Sequence, residues 1–379
     1  MKQINHEQLA KLVYKHYSVK GIDNRKIALL IYGTFGIGKS ETIRDTAKKI
    51  AVEKGKKFVE WNKLSKEGKD ELNANPKEYF CLIDIRLSEF DSSDTKGLPD
   101  FKDKDSIVWK VPFWAKFLEN PNSDGILFFD EINLATPLVI SSCYKIIYDR
   151  VINESKINDE WLIIGSGNVD SDRAYTHELA SPVRDRGSEC ELVNPSAEIW
   201  SNWAISNEID SRIIAFVNYK PSNLHNVNFD DGQKFTTERG WARLNSLIKD
   251  EKDSDTISLL CGTAIGEGIA REFLAFCKIN DRIKIERIIE NPDELKEVKE
   301  MDIKYFVTTA IAEKFKDRKV SFGKVYDISK TLHYCDNAEL VALLWRLCIG
   351  YDKKTFRDGF LKLNGEDLKL VEKYGKYFN

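Results

Sequence analysis

Long apolar segments are missing from this sequence of 379 residues. No apolar run approaches the roughly 18 residues that a membrane-spanning helix needs, and the opening segment MKQINHEQLA is too polar for a signal peptide. We therefore expect no membrane span. The seven cysteines form no Cys-x-x-Cys pair and no cluster with zinc-ligand spacing. Their scattered positions favour reduced thiols and a cytoplasmic protein.

Charge of one sign is also lacking, because the formal net charge is only −3. This balance gives no overall attraction for nucleic acid. The five histidines fall into no paired ligand pattern, so we expect no histidine-based metal site. An apolar fraction of 42% and a charged fraction of 31% are typical of a globular protein, and the length allows two or three domains.

The most informative segment is residues 27–40, IALLIYGTFGIGKS. Its apolar, β-branched start is typical of a buried strand and stops at Gly33. A glycine-rich loop follows and ends in Lys39 and Ser40, and the next residues repeat apolar side chains at helical spacing. A strand, a Gly-x-x-x-x-Gly-Lys-Ser loop and a helix in this order predict a P-loop.

The residue types of this loop suit the binding of a nucleoside triphosphate. Glycines allow backbone conformations in which successive N–H groups point at phosphate oxygens, and the helix N-terminus adds positive charge. Lys39 would reach the β- and γ-phosphates, and the Ser40 hydroxyl would bind Mg²⁺. The expected nucleotide-binding residues are Gly33, Thr34, Phe35, Gly36, Ile37, Gly38, Lys39, Ser40 and Glu41.

Polar residues at two further strand ends complete the predicted site. The apolar run GILFFD ends in Asp130, which would hold Mg²⁺, and Glu131 would polarise the water that attacks the γ-phosphate. The run WLIIGSGN ends in Asn168, which would orient the same water. Each of these residues alone is also ordinary turn chemistry. The prediction depends on their occurring together with the loop.

Alternating strand and helix patterns before residue 195 predict an α/β fold with a mostly parallel sheet of five strands. The segment KKFVEW could add a short edge strand. From residue 196 onward helical patterns take over. The expected domains are an N-terminal helix at 1–26, the α/β nucleotide-binding core at 27–195, a helical lid at 196–280 and a helical C-terminal extension at 281–379.

Together these motifs resemble the MoxR-like family of AAA+ ATPases over about residues 27–275. GTFGIGKS is similar to the family's Walker A motif, ILFFDEIN to its Walker B motif and IIGSGN to its sensor 1. The long connection at 88–112 resembles the family's helix-2 insert, and residues 150–161 resemble its pre-sensor hairpin. The implied fold is an AAA+ P-loop core followed by an all-helical lid and C-terminal region.

The resemblance also implies roles for two arginines. Within SPVRDRG, Arg186 would be the arginine finger, although Arg184 is close enough to be the finger instead. Within FTTERGWARLNSL, Arg239 would be the sensor 2 residue. The family more often has proline just before this arginine. Here the residue is Glu238, whose carboxylate could pair with Arg239.

The function that the resemblance implies is ATP hydrolysis with Mg²⁺ at the subunit interfaces of a ring, normally a hexamer. Hydrolysis would drive remodelling or activation of a protein partner, and family members commonly act with a von Willebrand A-domain protein. Two alternatives stay open. One is a DNA- or RNA-processing loader or translocase, which the absence of a helix-turn-helix signal disfavours. The other is a nucleotide-gated scaffold with little turnover, which Glu131 disfavours.

Three aromatic residues lie around the end of the 88–112 connection, namely Trp109, Phe113 and Trp114. They could grip a substrate at the pore or surface of a ring. Aromatic residues in long connections more often anchor the connection on the core, and we favour that interpretation.

Overall fold

The structure is a computed structural model that describes residues 1–21, 25–101, 108–169, 172, 177, 187–227, 235–251, 253–281 and 283–375. Contacts divide the chain into two units, Met1–Asn194 and Pro195–Asn379. Within the described ranges, no helix has both the length and the apolar character needed to cross a membrane.

The first unit alternates strands and helices. Its strands are β1 (Lys2–Ile4), β2 (Leu29–Tyr32), β3 (Lys57–Glu60), β4 (Tyr79–Arg86), β5 (Leu98–Asp100), β6 (Val108–Lys110), β7 (Gly125–Asp130), β8 (Val151–Ile152), β9 (Ser155–Lys156), β10 (Trp161–Gly167) and β11 (Ser188–Leu192). Its helices are α1 (His6–Ser18), α2 (Lys39–Glu53), α3 (Lys66–Ala74), α4 (Ser92–Lys96) and α5 (Pro137–Tyr144). A single π-helical turn, Lys145–Asp149, continues α5.

Seven strands form one sheet in the order β1-β11-β2-β10-β7-β4-β3, and all six pairings are parallel. The predicted fold class, an α/β core with a parallel sheet, is confirmed. The predicted number of five strands is too small by two. One of the two is β3, the edge strand that KKFVEW allowed. The other is β1, which has only three residues and therefore shows no detectable hydrophobic period.

Because β1 pairs with β11, the start of the chain belongs to the sheet and not only to an N-terminal helix. Lys2 lies opposite Cys190 and Ile4 opposite Leu192. Ile4 packs in the same buried cluster as Leu9 of α1. A capping box at Asn5 then starts α1 directly after the strand.

Alternate residues of the central strands pack on the two faces of the sheet. On one face, Ile126 and Phe128 of β7 share a cluster with buried residues of α1 and α2. On the other face, Leu127 and Phe129 share a cluster with residues of α5. A strand buried on both faces reads as a continuous apolar run, which is why GILFFD was recognisable. The parallel pairing places the carboxyl ends of β2, β4, β7 and β10 at one edge.

The connection between β4 and β7 contains more structure than its sequence indicates. Strands β5 and β6 pair antiparallel within it. Trp114 is 3% exposed, and its indole N–H donates to the Asp94 carbonyl at 3.1 Å, so it anchors the connection as expected. Phe113 is 74% exposed and Trp109 38% exposed. The anchoring interpretation therefore fits Trp114, and Phe113 packs on the ring of buried Trp61, with 5.0 Å between ring centroids, while most of its own surface stays uncovered.

The second unit is helical in its described residues, as the fold class requires. Its helices are α6 (Ala197–Ser206), α7 (Ser211–Tyr219), α8 (Glu238–Ile248), α9 (Ser254–Ile265), α10 (Glu267–Cys277), α11 (Ile285–Glu290), α12 (Met301–Lys316), α13 (Phe322–Tyr334), α14 (Ala338–Tyr351), α15 (Lys353–Phe360) and α16 (Glu366–Gly375). One buried cluster, with Trp241 and Trp345 at its largest positions, contains residues from Trp200 to Tyr374. The residues before and after position 280 thus share one core.

The contribution of β1 can be measured by replacing Ile4 with alanine. Because Ile4 is only 5% exposed, I4A should lower the free energy of unfolding by about 2–4 kcal/mol. Val52→Ala is the control, since Val52 is 77% exposed and should change stability by less than about 0.5 kcal/mol. Urea denaturation measures both. Equal losses in the two variants would contradict the placement of β1 in the core sheet.

Candidate nucleotide site

The loop between β2 and α2 crosses the carboxyl edge of the sheet. Gly36 and Gly38 have φ of 79° and 92°, in the left-handed region that glycine tolerates best. A Cβ at Gly33 would lie 2.7 Å from the Leu192 carbonyl oxygen of β11. The Gly33 N–H donates to the Gly167 carbonyl of β10 at 3.3 Å. The glycines of the motif therefore let the loop fold back and dock closely on two neighbouring strands.

Lys39 is the first residue of α2, and its side chain is directed into the loop. Its Nζ donates to the carbonyl oxygens of Gly33 at 2.5 Å and Thr34 at 3.0 Å. It also donates to Oδ1 of Asn168 at 3.2 Å. Lys39 is only 7% exposed. The structure thus brings the predicted phosphate-binding lysine and the predicted water-orienting asparagine into direct contact.

Ser40 and Asp130 meet at the end of β7. The Ser40 hydroxyl donates to Oδ2 of Asp130 at 2.9 Å. A hydroxyl and a carboxylate are the hard oxygen ligands that Mg²⁺ prefers, so this pair fits the predicted ion. The neighbouring Glu41 carboxylate pairs with Arg44 at 2.6 Å. In the part of the chain that the structure describes, no three His, Cys, Asp or Glu side chains are arranged as a metal site.

Glu131 has an unusual backbone conformation for a residue with a side chain. Its φ is 56°, in the left-handed region, and its N–H donates to Oδ1 of Asp130 at 3.0 Å. The Ser88 hydroxyl, just beyond β4, donates to the Glu131 carboxylate. Strained residues of this kind cluster at functional sites. Ser88 was not predicted, because a single serine after a strand has no distinctive pattern and its contact with Glu131 depends on the adjacency of β4 and β7 in the sheet.

A second carboxylate lies near the predicted magnesium ligands. Burial, and then the negative charge of Asp130, raise the pKa of Asp84 to about 6. An Nη atom of Arg44 lies 3.8 Å from Asp84, and the same guanidinium also pairs with Glu60 at 3.0 Å. One arginine therefore offsets several carboxylates at this edge. Asp84 was not predicted either, because a single aspartate near the end of a long apolar strand is not distinctive.

Two loop contacts come from residues outside the motifs. The ring Nε2 of His6, at the start of α1, is 2.6 Å from the Ile37 carbonyl oxygen. The Phe35 N–H donates to Oδ2 of Asp172 at 3.1 Å, and Asp172 is buried. The loop is thus held by the first helix and by the segment that follows β10.

Of the three predicted arginines, the structure describes Arg239 and not Arg184 or Arg186. Arg184 and Arg186 lie outside the described ranges, and Arg239 is exposed in the first turn of α8, in the second unit. Glu238, which could have paired with Arg239, is 6% exposed and pairs instead with Nδ1 of His225 at 2.9 Å. Consecutive helical residues point in different directions, so a buried Glu238 cannot face its neighbour.

No protein-family model matches this sequence, and no curated protein does. Solved structures with similar folds include the Holliday junction branch migration motor RuvB from Thermotoga maritima, with 16% identity and a TM-score of 0.31 over 76% of each chain. PCH-2 from C. elegans is 12% identical with a TM-score of 0.33, covering 71% of this chain and 68% of its own.

NtrX from Brucella abortus, solved with ADP, is 14% identical with a TM-score of 0.31, covering 71% of this chain and 47% of its own. Each of these likenesses is one of fold alone.

Asp84 predicts a pH dependence of stability. Its pKa is raised from 3.8 to about 6 in the folded protein, so the folded state holds this proton more tightly than the unfolded chain does. As the pH rises from 3.8 to about 6, ionisation of this carboxyl therefore progressively destabilises the fold. Asp84→Asn removes this ionisation. Its free energy of unfolding, relative to that of the wild type, should therefore be about 1–2 kcal/mol higher at pH 7 than at about pH 4, after allowance for the partial exposure of Asp84. Denaturant titrations at both pH values measure this gain, and a constant difference would contradict it.

Proposed function

We propose that this chain is a MoxR-like AAA+ ATPase that hydrolyses ATP at the subunit interfaces of a ring and remodels a protein partner. The observation that carries the proposal is the convergence of five predicted residues at one edge of the sheet. Lys39 contacts Asn168, and Ser40 contacts Asp130, which precedes Glu131 in the chain. These are the groups needed to bind a nucleoside triphosphate and to activate water.

ATP would be held by the loop between β2 and α2. The Lys39 ammonium now donates to the carbonyl oxygens of Gly33 and Thr34, and phosphate oxygens can replace these two acceptors. Ser40 and Asp130 would hold Mg²⁺, directly or through water. Bound there, the ion would supply positive charge for the phosphate oxygens.

Water activation is assigned to residues of the adjoining strand ends. Glu131 would accept a proton from the attacking water, and Ser88 would orient its carboxylate through their hydrogen bond. Asn168 would hold the water in line while its Oδ1 stays near Lys39. Arg186, or Arg184 in its place, would reach the γ-phosphate from a neighbouring subunit, and Arg239 would have the sensor 2 role that the resemblance implies.

A protein partner suits the exposed surface around β5 and β6 better than nucleic acid does. Leu98, Phe101 and Phe113 are 63%, 73% and 74% exposed. Exposed apolar side chains are typical of protein-binding surfaces, whereas nucleic acid requires basic ones. A von Willebrand A-domain protein is the partner class that the resemblance implies.

Substitution of Lys39 and Glu131 separates binding from hydrolysis. Lys39→Ala should abolish ATP binding, because it removes the cation inside the loop. Glu131→Gln should keep binding and lower kcat by about 10²- to 10⁴-fold, because an amide cannot accept the proton. Lys48→Ala, on the exposed surface of the same helix, is the control. Phosphate release and nucleotide-binding assays measure these effects, and equal turnover by wild type and Glu131→Gln would refute the assigned base.

The ring can be tested with the same Glu131→Gln variant. With ATP bound and hydrolysis stopped, we expect the solution mass to shift to that of a hexamer, because the finger requires a neighbouring subunit. Mass photometry with and without ATP measures the shift. A protein that remains monomeric would contradict the ring, and turnover stimulated by DNA in a strongly salt-dependent way would favour a nucleic-acid motor.

A further inference from the structure

Asn133 lies in the turn after Glu131, and it forms a reciprocal contact with Asn168. Its Nδ2 donates to the Asn168 carbonyl oxygen at 2.8 Å, and its Oδ1 accepts from the Asn168 N–H at 2.9 Å. Asn133 is 4% exposed. The donor and the acceptor of this buried amide therefore both bond to the backbone of Asn168.

This contact takes the place of the backbone hydrogen bonds between β7 and β10, which stop where β7 ends. The ladder between β7 and β10 stops at the pair formed by Phe129 and Gly165. Beyond that point the Asn168 backbone would lack a partner on this side of β10. A side-chain amide has the same donor and acceptor as a peptide group, so Asn133 continues the hydrogen bonding of β7 past its end. An unsatisfied backbone group here would be costly.

The fit at this position is close. A Cβ at Gly167 would lie 2.9 Å from Oδ1 of Asn133, so the glycine before Asn168 leaves room for the amide. The Ile132 N–H also donates to the Ser166 carbonyl at 2.8 Å, which ties the same two segments together one step earlier. The backbone entering Asn168 is thus fixed against the turn that carries Glu131.

We propose that Asn133 is a positioning residue, which fixes the Asn168 backbone so that its side chain faces Lys39 and the attacking water. This inference rests on the proposed ATPase function. Asn168 is then held at two points, its backbone by Asn133 and its side chain by Lys39. Because Glu131 is only two residues before Asn133, the same turn sets the distance between the proton acceptor and the residue that orients the water.

The test compares Asn133→Ala with Asn158→Ala in the full chain. Asn158 is the matched control, because its amide also bonds to backbone groups, those of Asn120 and Ser123, before the start of β10. Both variants lose amide-to-backbone hydrogen bonds. Only Asn133→Ala should lower kcat, by about 10- to 100-fold, with the KM for ATP within about threefold of wild type. Equal kcat in the two variants would overturn the proposal.

A double-mutant cycle then tests whether Asn133 acts through Asn168. Asn168→Ala should have the lower kcat of the two single variants, and adding Asn133→Ala to it should lower kcat no further. A further loss equal to that of Asn133→Ala alone would show independent action and overturn the proposal. Asn133→Asp, which keeps the acceptor and loses the donor, should show an intermediate kcat and remains informative if the alanine variant does not fold. A wild type without ATPase activity would overturn the proposed function and this inference together.

Discussion

The candidate site depends on the missing side chain of Gly33. The loop that follows β2 must turn across the carboxyl ends of β10 and β11, and a Cβ at this position would lie 2.7 Å from the Leu192 carbonyl oxygen. Because glycine has no Cβ, the Gly33 N–H can donate to the Gly167 carbonyl, and the loop packs directly on the edge of the sheet. This close docking brings the Lys39 ammonium within 3.2 Å of Asn168, so two parts of the chain that are distant in sequence share one site.

Opposite charges are then balanced around this loop. The acidic groups lie at the ends of β4 and β7, where burial and then the charge of Asp130 raise the pKa of Asp84 to about 6. Arg44 of α2 pairs with carboxylates from its own helix and from β3 and β4. A cation beside Ser40 and Asp130 would reduce the remaining repulsion, which is a physical reason for the proposed magnesium binding.

Orientation of the reacting groups comes from polar residues just beyond the strand ends. Ser88 contacts Glu131, and Asn133 holds the backbone of Asn168. The helical unit has its own core around Trp241, and the buried pair of His225 and Glu238 lies at the start of the helix that carries Arg239. Each unit therefore builds its own part of the proposed machinery on a separately packed core.

The local chemistry follows from residues that are neighbours in the sequence. Continuous apolar runs identified β4, β7 and β10, and one contiguous motif identified the loop, Lys39 and Ser40, because these features arise from neighbouring residues. The sequence did not reveal β1, which becomes a strand only by pairing with β11 near the other end of the unit.

Which strand ends meet depends on the order of the strands in the folded sheet. Asn133 and Asn168 are 35 residues apart, and Ser88 and Glu131 are 43 apart. Their contacts exist because β4, β7 and β10 are adjacent in the sheet, an order set by helical crossovers and not by any local pattern. A single asparagine or serine in a turn has no distinctive pattern in the sequence, and its role arises only when the strand beside it is in place.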